Sequence, residues 1–271
     1  MNADPAARLA RRRVALAHAA MERLRSSSET TVRTFGLGMI DVGGAVALYA
    51  SAVPWAGANT IANLGVDRAA TPRDLQQLMA PFQDHRLSFT VSLSPLACPP
   101  DLPTWLTDAG LAEVEPHWVL DRPLTTVEQS HAVDHLVVER FTEDQGVAFA
   151  RLILNEDATT EQVAYVGRPA GPNVHRYGVV LDGEFVAAAQ MMFAGRLVHV
   201  SGAATLPTFR GQGAQGALLQ RRLEDAVKNG CDVATVEVSV SNGASLRNVE
   251  RVGFRRQYQE RRFLWRPLDT G

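Results

Sequence analysis

The chain has 271 residues, 46% apolar and 21% charged, a balance that buries ordinary cores and excludes disorder as the main state, and its length predicts two domains. Its 27 basic and 29 acidic residues leave a formal charge of -2, so no global field draws it to nucleic acid or an anionic membrane. Cys98 and Cys231, 133 positions apart without a C-x-x-C partner, exclude a disulfide scaffold and a structural zinc site and point to a reducing cytoplasm.

Residues 8–25 set Leu9, Val14, Leu16, Ala20, Met21 and Leu24 among arginines near a 3.6 period, which predicts a helix ending before Ser26. Arg11, Arg12 and Arg13 invite a signal-sequence reading, but the apolar stretch behind them is short, broken by His18 and ended by Glu22 and Arg23. Residues 31–35 and 44–52 read as strands. The longest uncharged run, 42–63, holds Gly43, Gly44, Pro54 and Gly57 and is too weakly apolar for a membrane span. A strand over 60–66 precedes Thr71 and Pro72, the N-cap and first position of a helix over 74–83. A strand over 87–93, a helix over 102–109 stopped by Gly110, a strand over 118–120 and a linker over 121–125 complete the first half.

The second half opens with a strand over 135–141 and helices over 144–154 and 161–167. A meander of strands over 177–181, 185–193 and 197–204 follows, turning at Asp182-Gly183 and Ala194-Gly195. Beyond a glycine-rich turn come a helix over 214–229 with Leu218, Leu219, Leu223 and Val227 inward, a strand over 233–240, a helix over 244–252 and a strand over 258–265. This order repeats the first half. Thr90 and Gly110 correspond to Thr235 and Gly253 at offsets of 145 and 143, and Leu64-Gly65-Val66 to Ala204-Thr205-Leu206 at 140, which indicates a duplication.

Arg210-Gly211-Gln212-Gly213-Ala214-Gln215-Gly216 lies between a strand end and a helix start, where free backbone N–H groups and the helix dipole converge on an anion. The glycines admit phosphate oxygens close to the backbone and Arg210 adds a charge-assisted bond, so a pyrophosphate is the natural occupant. The segment also fits G-x-G-x-x-G, with Glu237 about 20 residues on, as a dinucleotide fingerprint requires. Against that stand the preceding meander and the 60 residues left after Gly211, too few for a doubly wound sheet.

The run from Ala204 to Ala214 resembles the acetyl-CoA-binding motif of GNAT-type N-acetyltransferases. Asn242, Ser245, Glu250, Arg251, Gly253 and Phe254 stand where that superfamily's second motif, N-x-x-A-x-x-L-Y-E-K-x-G-F, has comparable residues. The two motifs cover about residues 197–265, and the first half resembles a degenerate copy. The resemblance implies an α/β (α+β) protein of two tandem domains, each a mostly antiparallel sheet flanked by helices. The expected division is a domain over 1–122 without a phosphate loop, since Asp67 to Arg73 contains no glycine, and an acetyl-CoA-binding domain over 123–271.

The implied activity is acetyl transfer from acetyl-CoA, as cosubstrate, to an amine acceptor, a small molecule, by direct attack in a ternary complex. The resemblance places the pyrophosphate on Arg210, Gly211, Gln212, Gly213, Ala214, Gln215 and Gly216, the pantetheine along Ala203, Ala204 and Thr205, and Asn242 and Ser245 nearby. It also marks departures. The tyrosine that often protonates the leaving thiolate falls at Val249, a carboxylate often falls at Ser201, and Gln215 replaces a small residue; Asn248 or Tyr258 stands in position to substitute. For a base, period two puts His199 and Ser201 on one strand face with Ala203 and Thr205, while Glu237 lies on the adjoining strand.

His131 and His135 have metal-like i, i+4 spacing without an added ligand, so no metal is expected. Residues 247–266 carry seven arginines and two glutamates, a solvated face or a hold on CoA phosphates through Arg247 or Arg251. The first domain is expected to shape the acceptor cleft and to supply the surface a dimer partner gives in single-domain relatives, so the protein is read as a monomer or homodimer. Two alternatives remain: an acyl-CoA-binding sensor or structural module without turnover, and an enzyme binding a nicotinamide dinucleotide.

Overall fold

Helix starts and stops decide the first elements. In the computed structural model, which describes residues 4–124, 136–154 and 156–267, α1 (Pro5–Arg25) begins at an Asp4 cap and buries Leu9, Ala10, Ala17, Ala19 and Met21. Residues 31–35, expected as a strand, belong to α2 (Glu29–Phe35). The Ser28 hydroxyl accepts the Thr31 N–H and Gly36, at φ +58°, closes the last turn, so caps at both ends outweigh the strand preference of Thr-Thr-Val. Strand β1 (Leu37–Val42), unseen in the sequence, forms a hairpin with β2 (Ala45–Ala50) through Gly43 and Gly44.

Then come β3 (Thr60–Ala62), α3 (Pro72–Asp84) behind its Thr71 cap, β4 (Phe89–Leu93) and α4 (Leu102–Asp108). The expected short strand and linker are one long strand, β5 (Ala112–Pro123). The second half supplies β6 (Val137–Arg140), α5 (Gly146–Ile153), α6 (Thr160–Gly167), β7 (Val174–Leu181), β8 (Glu184–Ala194) and β9 (Leu197–Thr205). It ends with α7 (Ala214–Lys228), β10 (Val233–Ser239), α8 (Gly243–Arg251) and β11 (Arg255–Trp265). In α7, Leu218, Leu219 and Leu223 are buried as expected, whereas Val227 is 38% exposed. No helix among the described residues is long and apolar enough to cross a membrane.

The chain divides into two compact units, Met1–Trp118 with Gln257–Gly271, and Val119–Arg256. The sequence division at residue 122 assigned the C-terminal strand to the second domain; most of it packs in the first. In the first unit the strand order is β1-β2-β3-β4-β11-β5, with Phe263 of β11 opposite Val91 of β4. Its core joins Leu78, Phe82, Phe89, Val91, Leu106 and Phe263, with Phe82 and Phe89 stacked at 4.3 Å. In the second unit the order is β5-β10-β9-β8-β7-β6, with β5 supplying residues 119–123.

Both halves of the chain repeat one plan in sequence order: two helices, an antiparallel meander (β1-β2-β3, β7-β8-β9), a helix, a strand parallel to the third of the meander, a helix and a last strand. Thr60 pairs with Thr90 as His199 pairs with Thr235, at offsets of 139 and 145. On β7, Arg176 lies over the Phe149 ring of α5 while Tyr177, one residue on, donates to Asp225 of α7. Alternation along the strand therefore puts α5 and α7 on opposite faces of the second unit's sheet.

Candidate functional site

The site grows from two irregularities in β9. Its parallel ladder with β10 ends at His199 and Thr235, although β9 runs on to Thr205 and β10 to Ser239. Past that point the two strands are unpaired with each other, leaving a backbone edge that can take an extended amide-bearing arm as a further strand would. On the other side, the register with β8 slips: Ala188 faces Ala204 but Gln190 faces Ser201, so Gly202 and Ala203 form a bulge. Gly202 holds φ +53°, a conformation an L side chain rarely adopts. This glycine was not singled out from sequence; only its strand pairing reveals the bulge.

The bulge corrects one expectation about faces. Met192, Gln190 and Ala188 alternate onto one face, so their partners His199, Ser201 and Ala204 share it, while Thr205, opposite Ala187, turns to the other. Thr235 is the lateral neighbour of His199, and Glu237, two residues on, shares that face. His199, Ser201 and Glu237, all half-buried, therefore gather where β9 and β10 part. Thr205 instead receives a 2.8 Å hydrogen bond from Gln215 Nε2 of α7, which gives that glutamine a structural role.

Six residues, about 20 Å of extended chain, separate His199 from Thr205. There the strand passes into the glycine loop. Arg210 is exposed and its Nε donates to the Thr205 carbonyl at 3.3 Å; Gln212 donates to the Thr208 carbonyl. Gly211 and Gly213 hold φ +79° and +87°, and Gly213 is the N-cap of α7 without any side-chain cap. The first intrahelical bond to this cap comes from Ala217, so the N–H groups of Ala214, Gln215 and Gly216 point out of the helix end without an intrahelical acceptor. A Cβ at Gly211 or Gly216 would meet nothing within 4 Å. An open, glycine-lined helix N-terminus of this length fits a phosphate oxygen cluster.

The other expected residues lie on α8 and β11. The Asn242 side chain, just before the first residue of α8, caps the helix by accepting the Ser245 backbone N–H at 3.0 Å. Asn248 accepts from Arg251, and Val249 is buried in the core. Tyr258 is buried and belongs to the first compact unit. His131 and His135 lie outside the described residues. No group of three or more His, Cys, Asp or Glu side chains that could hold a metal ion occurs among the described residues.

The first unit shows why its copy is closed. β3 ends one residue past its ladder with β4, and the carbonyl of Gly65, on the following turn, accepts the Cys98 N–H at 2.9 Å. A Cβ at Gly65 would lie 2.3 Å from the Cys98 carbonyl oxygen, so this backbone is packed shut. At the start of α3, Asp74 and Thr71 form a reciprocal capping box, and Arg68 grips the Asp74 carboxylate at 2.8 and 2.9 Å. The helix end that would meet a phosphate is satisfied by the chain's own carboxylate. Arg68 and the Thr71 N–H hold the Asp74 carboxyl well below the usual carboxylate range.

A lowered folded-state value means stability present above about pH 4 and lost progressively as pH falls through and below the ordinary carboxylate range. Asp74→Ala should accordingly melt below wild type at pH 7, with the gap closing on acidification, in thermal melts followed by circular dichroism from pH 7 to 2. A gap that stays constant with pH would refute the role given to the carboxylate.

Residues 130–254 match the Acetyltransferase (GNAT) family model. No curated protein matches the chain. Among solved structures, a GCN5-related N-acetyltransferase from Kribbella flavida aligns over 97% of this chain and 96% of its own at TM-score 0.64 and 17% identity. A GCN5-related N-acetyltransferase from Sphaerobacter thermophilus aligns over 89% and 85% at TM-score 0.56 and 13% identity. A tandem GNAT protein from the clavulanic acid biosynthesis pathway aligns over 86% and 83% at TM-score 0.56 and 12% identity. At these identities the likeness is one of fold.

Proposed function

We propose that this chain, whose residues 130–254 form a GNAT acetyltransferase domain within a fold shared with tandem GNAT proteins, transfers the acetyl group of acetyl-CoA to an amine by direct attack in a ternary complex. Membership of residues 130–254 in that family supports acyl-CoA-dependent acetyl transfer in general. The observation that carries the finer reading is the single path from the parted β9 and β10 to the open N-terminus of α7. The pyrophosphate sits at Gly211 to Gly216, and the pantetheine amides pair with the β9 edge at Ala203 to Thr205. The thioester then reaches the bulge, beside His199 and Glu237.

The chemistry follows from that placement. A neutral amine adds to the thioester carbonyl from the face that carries His199, Ser201 and Glu237. His199 or Glu237 takes the ammonium proton, and backbone N–H groups of the bulge stabilise the developing oxyanion. Val249 and Ser201 supply neither acid nor carboxylate, so the departing CoA thiolate takes its proton from solvent; with a reference pKa of about 8.5 it is a tolerable leaving group. Those same two residues favour a second reading, a module that binds acyl-CoA without turning it over. The acceptor is an amine-bearing small molecule.

A thermal-shift screen with acetyl-CoA, CoA, NAD and NADP tests the assignment. At about 100 times Kd, binding contributes about 2.7 kcal/mol, several degrees in a chain of this size. Acetyl-CoA and CoA are expected to raise Tm and the nicotinamide dinucleotides to leave it unchanged. Stabilisation by NAD alone would overturn the proposal, and CoA binding without acetylation across a panel of amines would select the non-catalytic reading.

A further inference from the structure

We propose that Arg222 is a positioning residue for the thioester, clamping the β8–β9 bulge from within the core so that the Gly202 and Ala203 backbone keeps one orientation where the β9–β10 gap opens. Arg222 lies in the middle of α7 and is 1% exposed, among the largest fully buried side chains of the protein. Among the described residues it has no carboxylate partner. Its Nε donates to the Leu218 carbonyl at 3.0 Å, and one Nη1 donates to the Gln190 carbonyl at 3.0 Å and the Ser201 carbonyl at 3.4 Å.

Gln190 and Ser201 are register partners on adjacent strands, and the bulge begins at the next residue of β9. An extra residue leaves ladder groups without their usual partners, and a guanidinium, with five donors in a rigid fork, can bridge two carbonyls that no backbone N–H of a regular ladder would reach. Burying the cation is unfavourable in itself, and desolvation pushes its pKa down to about 10, still charged at neutral pH. An apolar side chain of similar length would fill the space without that penalty, so the arginine answers a need for defined backbone geometry. A charge-assisted bond to the Ser201 carbonyl also polarises the Ser201–Gly202 peptide and strengthens its N–H as a donor to a thioester oxygen. This second consequence rests on the acetyl-CoA reading; the clamp itself does not.

The full chain carrying Arg222→Met or Arg222→Lys tests both parts through two readings. Amide exchange over residues 200–206 is followed without ligand, and the carbonyl 13C shift of [1-13C]acetyl-CoA is measured on binding, beside CoA affinity by calorimetry. Arg222→Met is expected to speed exchange there at least about tenfold and to remove the downfield shift of the bound carbonyl, with CoA affinity within about threefold because the glycine loop is untouched. Arg222→Lys, which keeps the charge and loses the fork, should recover part of the shift, and it carries the same comparison with wild type if the methionine variant is insoluble. Unchanged exchange and shift would overturn the clamp, as would CoA affinity falling in step with the shift, the mark of a general loss of structure. Wild-type protein that binds no CoA would overturn the acetyl-CoA reading, while exchange in the ligand-free protein would still decide the clamp.

Discussion

Gly216→Asp is expected to leave the protein at least as stable as wild type while weakening CoA binding about 100-fold, close to 2.8 kcal/mol. Gly216 is the third residue of α7, exposed, and a Cβ there enters open space. An aspartate in a helix's first turn interacts favourably with the dipole, by about 0.3–1 kcal/mol, and replacing a helical glycine removes its propensity penalty. The same carboxylate lies over the N–H groups assigned to the pyrophosphate, competing for them and repelling it. The opposed signs make the test specific, because a misfolded variant would lose both. Gly216→Asn, nearly isosteric and uncharged, should bind more tightly than the aspartate. Calorimetric titration with CoA beside thermal melts reads the outcome; full affinity in Gly216→Asp would remove the anion site from this loop. Gly213 is the poorer target, since any side chain there is strained at φ +87°.

The second large effect concerns stability, far from the loop. Phe263→Ala should destabilise the protein by about 3–5 kcal/mol, the usual result of emptying an aromatic position in a packed core. Phe263 is fully buried among Leu78, Phe82, Phe89 and Leu106, although it lies eight residues from the end of the sequence given and beyond the segment that matches the family. Amide exchange should show the loss concentrated in peptides of β2, β3, β4 and α3, with α7 and β9 better protected. A loss confined instead to residues 119–256 would contradict the assignment of this strand to the first unit.

That strand marks where the sequence stops informing. The alternation over residues 258–265 predicts a strand, and one forms as β11, but period two says which residues alternate and nothing about which strand they pair with. The repeat offsets of 140 to 145 residues carry the duplicated plan, because each copy preserves its own order of helices and strands. They leave open which chain segment fills the place beside β4, since that depends on contacts between residues some 170 positions apart, Val91 with Phe263. The strand expected over residues 31–35 fails for a local reason: Ser28 and Gly36 cap a seven-residue helix, and cap geometry outweighs the composition between the caps.

At the site, the glycine loop and the helix behind it are legible from Arg210 to Gly216 because helix start signals and positive-φ glycines are local chemistry, contained in a few consecutive residues. The resemblance to the acetyltransferase family rests on those same residues. The face shared by His199, Ser201 and Glu237, the turn of Thr205 to the other face, and the place of Arg222 beneath the bulge are different in kind. Each depends on a one-residue slip between β8 and β9 and on the point where β9 and β10 part. A slip of one residue reverses every side chain beyond it, and only the neighbouring strands and the helix packed on them determine where it falls.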